Sequence, residues 1–425
     1  MAVDDIFRRL SLTLRPDPAQ TVLRPFTPDD PPPFERSPRR EQRIVERILG
    51  LDDERLRRGC SAIVGLLADR HQEVERYLDD RFEQLREELA LPSLAGDRAR
   101  LVAAFFTQEY AFQSAALFNP SCVISADQSG LPPGAIRLLL SLRGIGEGHV
   151  SSVAFRGAVW TPGGEVEIDL GSSKCIQPRV EAVDGERVRF AWPDISHPAD
   201  AVLFPVTPSQ RQGIEDLRLT WLTEEDGSRA LHGTYTAYSG LAARSEMLRS
   251  QGRARFELAP LAGLFALNKG MALFPRRVGG RYMMLGRADN ESIWLLRSDE
   301  LYRWDEGQRI ASPRFDWELV QMGNCGSPIE IDEGWLVLTH GVGALRSYSI
   351  GALLLDRDDP ARVLARTRKP LMTPRPEERD GYVPNVVYSC GSVVSGRRLL
   401  LPYAVADQYT AFGSAELADL LACLE

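Results

Sequence analysis

From about residue 115 to its end, this chain reads as short apolar strands of five to eight residues separated by tight turns. Gly279-Gly280 stands before one strand and Asp332-Glu333-Gly334 before another. Several of these strands stop on a charged or aromatic polar group. Arg143, Tyr238, Arg287, His340 and Asp407 occupy such ends, at intervals of 95, 49, 53 and 67 residues. Most of those intervals lie near the roughly 50 residues that a four-stranded propeller blade needs. A sandwich also produces many short strands, but only a radial arrangement brings the same polar position of each unit to one point. The expected fold is therefore mainly β, a five-bladed β-propeller over residues 115–425.

The first 114 residues have a different texture. Helical periodicity runs over 40–49, 53–88 and 97–112, with dense Glu, Arg and Asp on the opposite face. A Pro-rich stretch at 28–38 separates these helices from a short extended opening at about 12–25. The expectation is an N-terminal extension, mostly helical, that packs on the side of the propeller or forms a contact between copies in a homo-oligomer.

Composition removes several function classes. A net charge of -8 argues against a nucleic-acid partner or a basic membrane-facing surface. No apolar run reaches the ~18 residues of a membrane-spanning helix, and Met-Ala-Val-Asp-Asp lacks the basic and apolar regions of a secretory signal. The six cysteines are scattered without a C-x-x-C, so reduced thiols in a cytoplasmic protein are expected. The five histidines show no ligand spacing, so no metal is inferred. Motifs for a P-loop, a G-x-S-x-G elbow and H-E-x-x-H are absent. The loop Gly144-Ile-Gly-Glu-Gly-His149 is followed by no βαβ pattern, which excludes a dinucleotide fingerprint.

What is left is a set of isolated polar residues in apolar surroundings. Arg143, Glu147 and His149 fall within seven residues after the apolar run 136–142. Lys269 interrupts the apolar passage 264–274, and Asp407 closes Tyr-Ala-Val-Ala-Asp. Charges in such places cost free energy unless something uses them.

Seven segments in order carry a resemblance: Asn119-Pro-Ser121; Arg143 with Val-Ser-Ser following; Gly213-Ile-Glu-Asp216-Leu-Arg218; Thr234-Tyr-Thr-Ala-Tyr238; Asn268-Lys269-Gly-Met-Ala-Leu-Phe-Pro275; Trp335 through His340-Gly-Val342; and Tyr382-Val-Pro-Asn-Val386. Over 115–425 the chain resembles the β-mannoside phosphorylases of glycoside hydrolase family 130, which are five-bladed propellers with a central active site. The resemblance implies inverting phosphorolysis of β-mannosides to α-mannose 1-phosphate, or the reverse mannosyl transfer. The partners it implies are a mannooligosaccharide and inorganic phosphate as co-substrate, with no cofactor. An ordinary inverting glycosidase needs two carboxylates, one of them to activate water. Phosphate is already anionic, so a single acid facing a cluster of cations is the expected signature.

By the resemblance, Asp216 is the general acid, relaying its proton through the sugar's 3-hydroxyl. Arg143, His149, Arg244, Lys269, His340 and Tyr348 are the phosphate-side residues, and Asn119, Ser121 and Asp407 hold the sugar. Two positions depart from the family pattern. Leu217 replaces a proline after the acid, and His149 stands where a second phosphate arginine is usual. A histidine there leaves an inverting β-mannosidase as an alternative, with Glu147 or Glu215 activating water. A purely carbohydrate-binding propeller is the third reading, opposed by the retention of Asp216 among so many cations. Linkage is expected to be β-1,2, with β-1,4 as the other choice.

Overall fold

The computed structural model describes residues 6–169, 171, 174–192, 195, 197–252 and 254–425. It divides into two compact units. The smaller holds residues 19–112 with a short segment near 174–176. The larger holds the opening residues up to 18 and nearly everything from 113 on.

Four helices make the smaller unit: α1 (Arg40–Leu49), α2 (Asp53–Ala68), α3 (Val74–Leu89) and α4 (Asp97–Phe105). Asp52 caps α2 by accepting from the Arg55 N–H at 2.8 Å. Helical spacing puts Val74, Leu78, Phe82 and Leu85 on one face of α3, where they join Leu56, Cys60, Leu101 and Val102 in one core. The opposite faces carry ion pairs such as Arg100 with Asp79 at 2.8 Å.

The larger unit is mainly β, with its described strands in four sheets, one of which, eleven-stranded, joins two antiparallel meanders. The first meander is Ala116–Ile124, Ile136–Ile145 and Ser151–Trp160, with Val166–Asp169 and Val202–Leu203 beside the last. Gly213–Thr223, Arg229–Tyr238, Ala243–Ser250 and Arg255–Pro260 form the second, extended by Arg187–Ala191 and Arg179–Asp184. The third is Ala272–Leu273, Tyr282–Gly286, Ile293–Ser298 and Glu306–Ala311. In the fourth, Gln321–Asn324, Gly334–Val342, Tyr348–Leu355 and Val363–Arg366 run in order. The fifth joins Val387–Tyr388, Arg398–Val405 and Tyr409–Glu416 to the opening strand Arg8–Leu14.

That last pairing revises the expected boundary at residue 114. The opening of the chain is split: Arg8–Leu14 pairs antiparallel with Tyr409–Glu416 in the larger unit, whereas Val22–Pro25 pairs with Thr107–Tyr110 in the smaller. Phe7 and Leu10 are buried there, and an apolar strand of this kind must satisfy its backbone against another edge.

Neighbouring meanders pack face to face. Leu222 and Met247 of the second meet Met284 and Leu296 of the third. Leu285 and Leu295 of the third meet Trp335, Val337 and Leu353 of the fourth. Leu336 and Ile350 of the fourth meet Leu399, Leu401 and Tyr403 of the fifth. Ala404 of the fifth packs with Ala116, Phe118 and Ile145 of the first. Strands such as Gly334–Val342 are buried along their whole length, so they show continuous apolar runs rather than alternation.

The first and second meanders share one parallel ladder pair, Gly213 with Ser151. Gly213 has φ +148°, and a Cβ there would lie 2.7 Å from both the backbone N and the Cβ of Ser151. Gly213→Ala should therefore destabilise the protein by about 1–3 kcal/mol, through overpacking and backbone strain. Urea titration of both proteins checks this, with a lowered midpoint and an unchanged slope as the expected result.

Candidate active site

Four of the five polar strand ends, Arg143, Arg287, His340 and Asp407, line one cavity. About 300 Å³ in volume, it is lined by Asn119, Arg143, Glu215, Asp216, Lys269, Arg287, His340, Arg346, Tyr348, Tyr388 and Asp407, among others. A smaller recess beneath it adds Arg218, Thr236 and Asn324. A third, more open pocket shares Arg143, Glu215 and Asp407 with the cavity and runs outward past Phe118, His149, Tyr238 and Tyr382.

Local backbone irregularities aim the key side chains inward. Pairing slips between Phe118 and Ser121 on one strand, and between Glu215 and Arg218 on another. At these bulges Asn119 and Asp216 adopt left-handed φ values of 46° and 55°. Asp407 does the same at 50°, in the turn after Arg398–Val405. Non-glycine residues rarely sit there, and bulges next to active sites commonly re-aim a side chain. The result is direct contact: the Asn119 amide donates to Asp216 Oδ1 at 2.7 Å.

Arg143 anchors the carboxylates. It donates to Glu215 at 2.7 Å, to Asp216 at 3.4 Å and to the Ser151 hydroxyl at 3.0 Å. Burial alone would raise the Asp216 pKa, but Arg143, the Asn119 hydrogen bond, Lys269 and Arg218 together hold it below the usual carboxylate value. Asp407 goes the other way. Burial, with Asp216 nearby, pushes it up to about 6 against the pull of Arg143 and Arg346.

The opposite wall is cationic. Lys269 Nζ lies 4.0 Å from Glu215. The Arg287 guanidinium approaches His340 Nε2 at 3.5 Å. His340 stacks on Tyr348, with ring centres 5.9 Å apart and planes at 13°. Burial, then Arg287 and Arg218, drives the His340 pKa well below its ordinary value, which favours the neutral imidazole. Among the described residues, the buried Arg287 Nε has no hydrogen-bond partner. Arg218 is also buried, donating to the Gly270 carbonyl at 3.0 Å, to Asn324 and to the Tyr388 hydroxyl at 2.6 Å. Across the cavity and recess, Arg143, Arg218, Lys269, Arg287 and Arg346 outnumber Glu215, Asp216 and Asp407.

Asn119, Arg143, Asp216, Lys269, His340, Tyr348 and Asp407 thus meet as the sequence suggested. Three expected residues do not join them. Arg244 is held by Glu246 at 2.8 Å and Glu186 at 2.6 Å, and lines none of these pockets. Ser121 is fully buried and accepts from the Leu219 N–H at 3.0 Å, which makes it a clamp between strands. His149 lines the outer pocket, where its Nδ1 meets the Tyr382 hydroxyl at 2.5 Å. Sequence reasoning overlooked Arg346, Tyr388 and Asn324. It placed Arg287 only as a strand end and Arg218 only within the Asp216 motif.

Comparison with known proteins identifies a family. The model of glycoside hydrolase family 130, described as beta-1,4-mannooligosaccharide phosphorylase, matches residues 197–425. That is more than half of the chain, and the protein belongs to this family. Among its relatives, a 1,2-beta-oligomannan phosphorylase of a Thermoanaerobacter species is 36% identical over 155 residues, covering 36% of this chain and 52% of the relative. A beta-1,2-mannobiose phosphorylase of Listeria innocua is 30% identical over 231 residues, covering 52% and 63%. The chain therefore spans about half to two thirds of the length of these relatives. The solved Listeria innocua beta-1,2-mannobiose phosphorylase in complex with beta-1,2-mannobiose superposes with a TM-score of 0.54 at 21% identity, covering 72% of this chain and 91% of that one. That likeness is one of fold.

The raised pKa of Asp407 makes a stability prediction. The folded protein keeps this proton to about pH 6, whereas the ordinary carboxyl value is 3.8, so ionising Asp407 penalises the fold. The penalty is absent below about pH 4, grows towards pH 6 and is complete above it. Asp407→Asn should raise ligand-free stability by about 1–2 kcal/mol at pH 7.5 and leave it nearly unchanged at pH 4. Thermal melts of both proteins at the two pH values check the sign.

Proposed function

We propose that this chain is an inverting glycoside phosphorylase that cleaves β-mannosides with inorganic phosphate. The reading rests on one observation above others: Asp216 lines one cavity together with Lys269, Arg287, His340 and Tyr348. A phosphate anion suits such a wall, because charge-assisted bonds to arginine and lysine are the strong ones. In this assignment Asn119 and Asp407 hold the mannosyl ring. Lys269, Arg287, His340 and Tyr348, with Arg143, hold the phosphate. A phosphate oxygen bonds to C1 as the C1–O bond to the leaving sugar breaks with inversion. The proton of Asp216 ends on the leaving oxygen, relayed by the mannose 3-hydroxyl as the family resemblance implies. The products are α-mannose 1-phosphate and the shortened saccharide.

Asp216 must carry that proton, yet the cations around it favour its ionised form. A bound phosphate anion opposes those cations and raises the proton affinity of Asp216, so phosphate acts here as nucleophile and as electrostatic partner of the acid. The hydrolase reading is weaker. Of its candidate bases, Glu215 spends its oxygens on Arg143 and Lys269.

Two finer readings belong here. β-1,2-Mannosides are the substrate of choice, supported by the names of relatives from Listeria innocua and Thermoanaerobacter. The fold is inferred to be a five-bladed propeller, supported by five consecutive meanders whose faces pack second to third, third to fourth, fourth to fifth and fifth to first.

Incubation with β-1,2-mannobiose, with and without phosphate, tests the reading. Mannose 1-phosphate should form only when phosphate is present; free mannose as sole product at an unchanged rate would establish hydrolysis instead. Asp216→Asn should lower kcat by about 10²–10⁴-fold through loss of the transferable proton. Arg287→Ala should raise the phosphate KM by about ten- to hundredfold, and the mannoside KM by much less. Initial-rate kinetics with each substrate varied in turn separate the two effects.

A further inference from the structure

A fourth pocket lies away from the proposed chemistry, on the same five segments that build the cavity. Each segment reaches the cavity or its recess first, through Asn119, Asp216, Lys269, Asn324 and Tyr388. Three to six positions later it reaches this pocket, through Cys122, Leu219, Pro275, Ser327 and Gly391. At about 3.3 Å per extended residue, three positions set the pocket about 10 Å further along, and the two share no wall residue. It holds about 220 Å³. That is less than the roughly 300–1,000 Å³ of sites for drug-sized ligands, so a ligand of one ring is its size.

Its walls are mostly apolar, with Leu219, Pro275, Pro328, Ile329 and Val394 joining the half-buried Trp221. The indole N–H of Trp221 is already spent on the Ile124 carbonyl at 2.8 Å, which fixes the ring and leaves it an apolar surface. A hydroxyl-rich ligand such as a sugar would leave most of its donors unmatched against such walls.

Charge enters the wall through Glu330 and Arg229. Glu330 accepts from Arg276 at 2.6 and 2.9 Å and has Arg357 3.6 Å away, so its charge is answered. That of Arg229 is not. Its guanidinium stacks on Trp221, 4.6 Å from the ring centre, which uses the face of the group and leaves its in-plane donors free. Burial lowers its pKa, and no neighbouring acid opposes that. Ser327, also on the wall, has a buried Oγ without a hydrogen-bond partner among the described residues. The pocket is thus short of negative charge, and it offers a carboxylate a planar fork of N–H groups.

We propose that this pocket is a second ligand site, separate from the catalytic cavity, that takes a small organic acid: a carboxylate carried on one apolar ring. The ring lies against Trp221 and the aliphatic walls, and the carboxylate meets the Arg229 guanidinium. The proposal goes beyond the phosphorylase reading and does not depend on it.

Calorimetric titration of the full chain tests it with three probes. Phenylacetate carries ring and charge, 2-phenylethanol the ring alone and acetate the charge alone. Phenylacetate should bind about tenfold more tightly than either of the others. Arg229→Gln alters an exposed residue outside the catalytic machinery. It should weaken phenylacetate binding about tenfold, to the level of 2-phenylethanol, with the circular dichroism spectrum unchanged. Absence of phenylacetate binding overturns the proposal, as do equal affinities for acid and alcohol. Binding in the cationic cavity instead would survive Arg229→Gln and be lost in Arg287→Ala, and that result overturns it too. So does a sugar phosphate, tested as glucose 1-phosphate, that binds through Arg229 more tightly than phenylacetate.

Discussion

A buried guanidinium holds the centre of this molecule together. Arg218 is only 4% exposed, and a charge so placed is tolerable only when its donors are nearly all used. They are: the Gly270 carbonyl, Asn324 and the Tyr388 hydroxyl accept from it. Gly270 leads into the third meander, Asn324 ends the first strand of the fourth and Tyr388 belongs to the fifth, while Arg218 itself lies in the second. One side chain therefore ties four sheets at the floor of the cavity. It also adds to the positive potential that favours the ionised form of Asp216. Framework and chemistry share this residue, so the cation set above it is fixed before any substrate enters.

The site was legible in sequence where a polar residue broke an apolar strand or a glycine-rich turn. Asn119, Arg143, Asp216, Lys269, His340 and Asp407 all fit that description, because a charge in such surroundings has few explanations other than use. Failures came where orientation depended on distant partners. Arg244 and Glu246 share a strand face by the two-residue period, and Glu186 is contributed from 58 residues away. One sequence does not reveal that these acids claim the arginine. Ser121 was misread because the pairing slip between Phe118 and Ser121 separates its direction from that of Asn119.

The fold followed the same division. Repeated short strands and turn glycines disclosed a mainly β unit, and amphipathic periodicity disclosed the helices. The fate of the opening segment was hidden, since an isolated strand carries no mark of its partner. Arg8–Leu14 contacts residues some 400 positions later, and no local pattern encodes that.

That distant pairing bears on how the protein is made. Arg8–Leu14 is synthesised some 400 residues before its partner, so it remains an unpaired edge until Tyr409–Glu416 follows. An exposed edge is a template for unwanted pairing, and late, non-local closure is intrinsically slow. Arg8 and Arg9 open this strand and Arg15 follows it, and charge of this kind discourages edge-to-edge association during the wait. Once closed, the same arginines are redeployed: Arg8 bonds Glu165, Arg9 bonds Glu378 and Arg15 covers the ring of Tyr409. The residues that guard the nascent edge thus become the fasteners of the finished one.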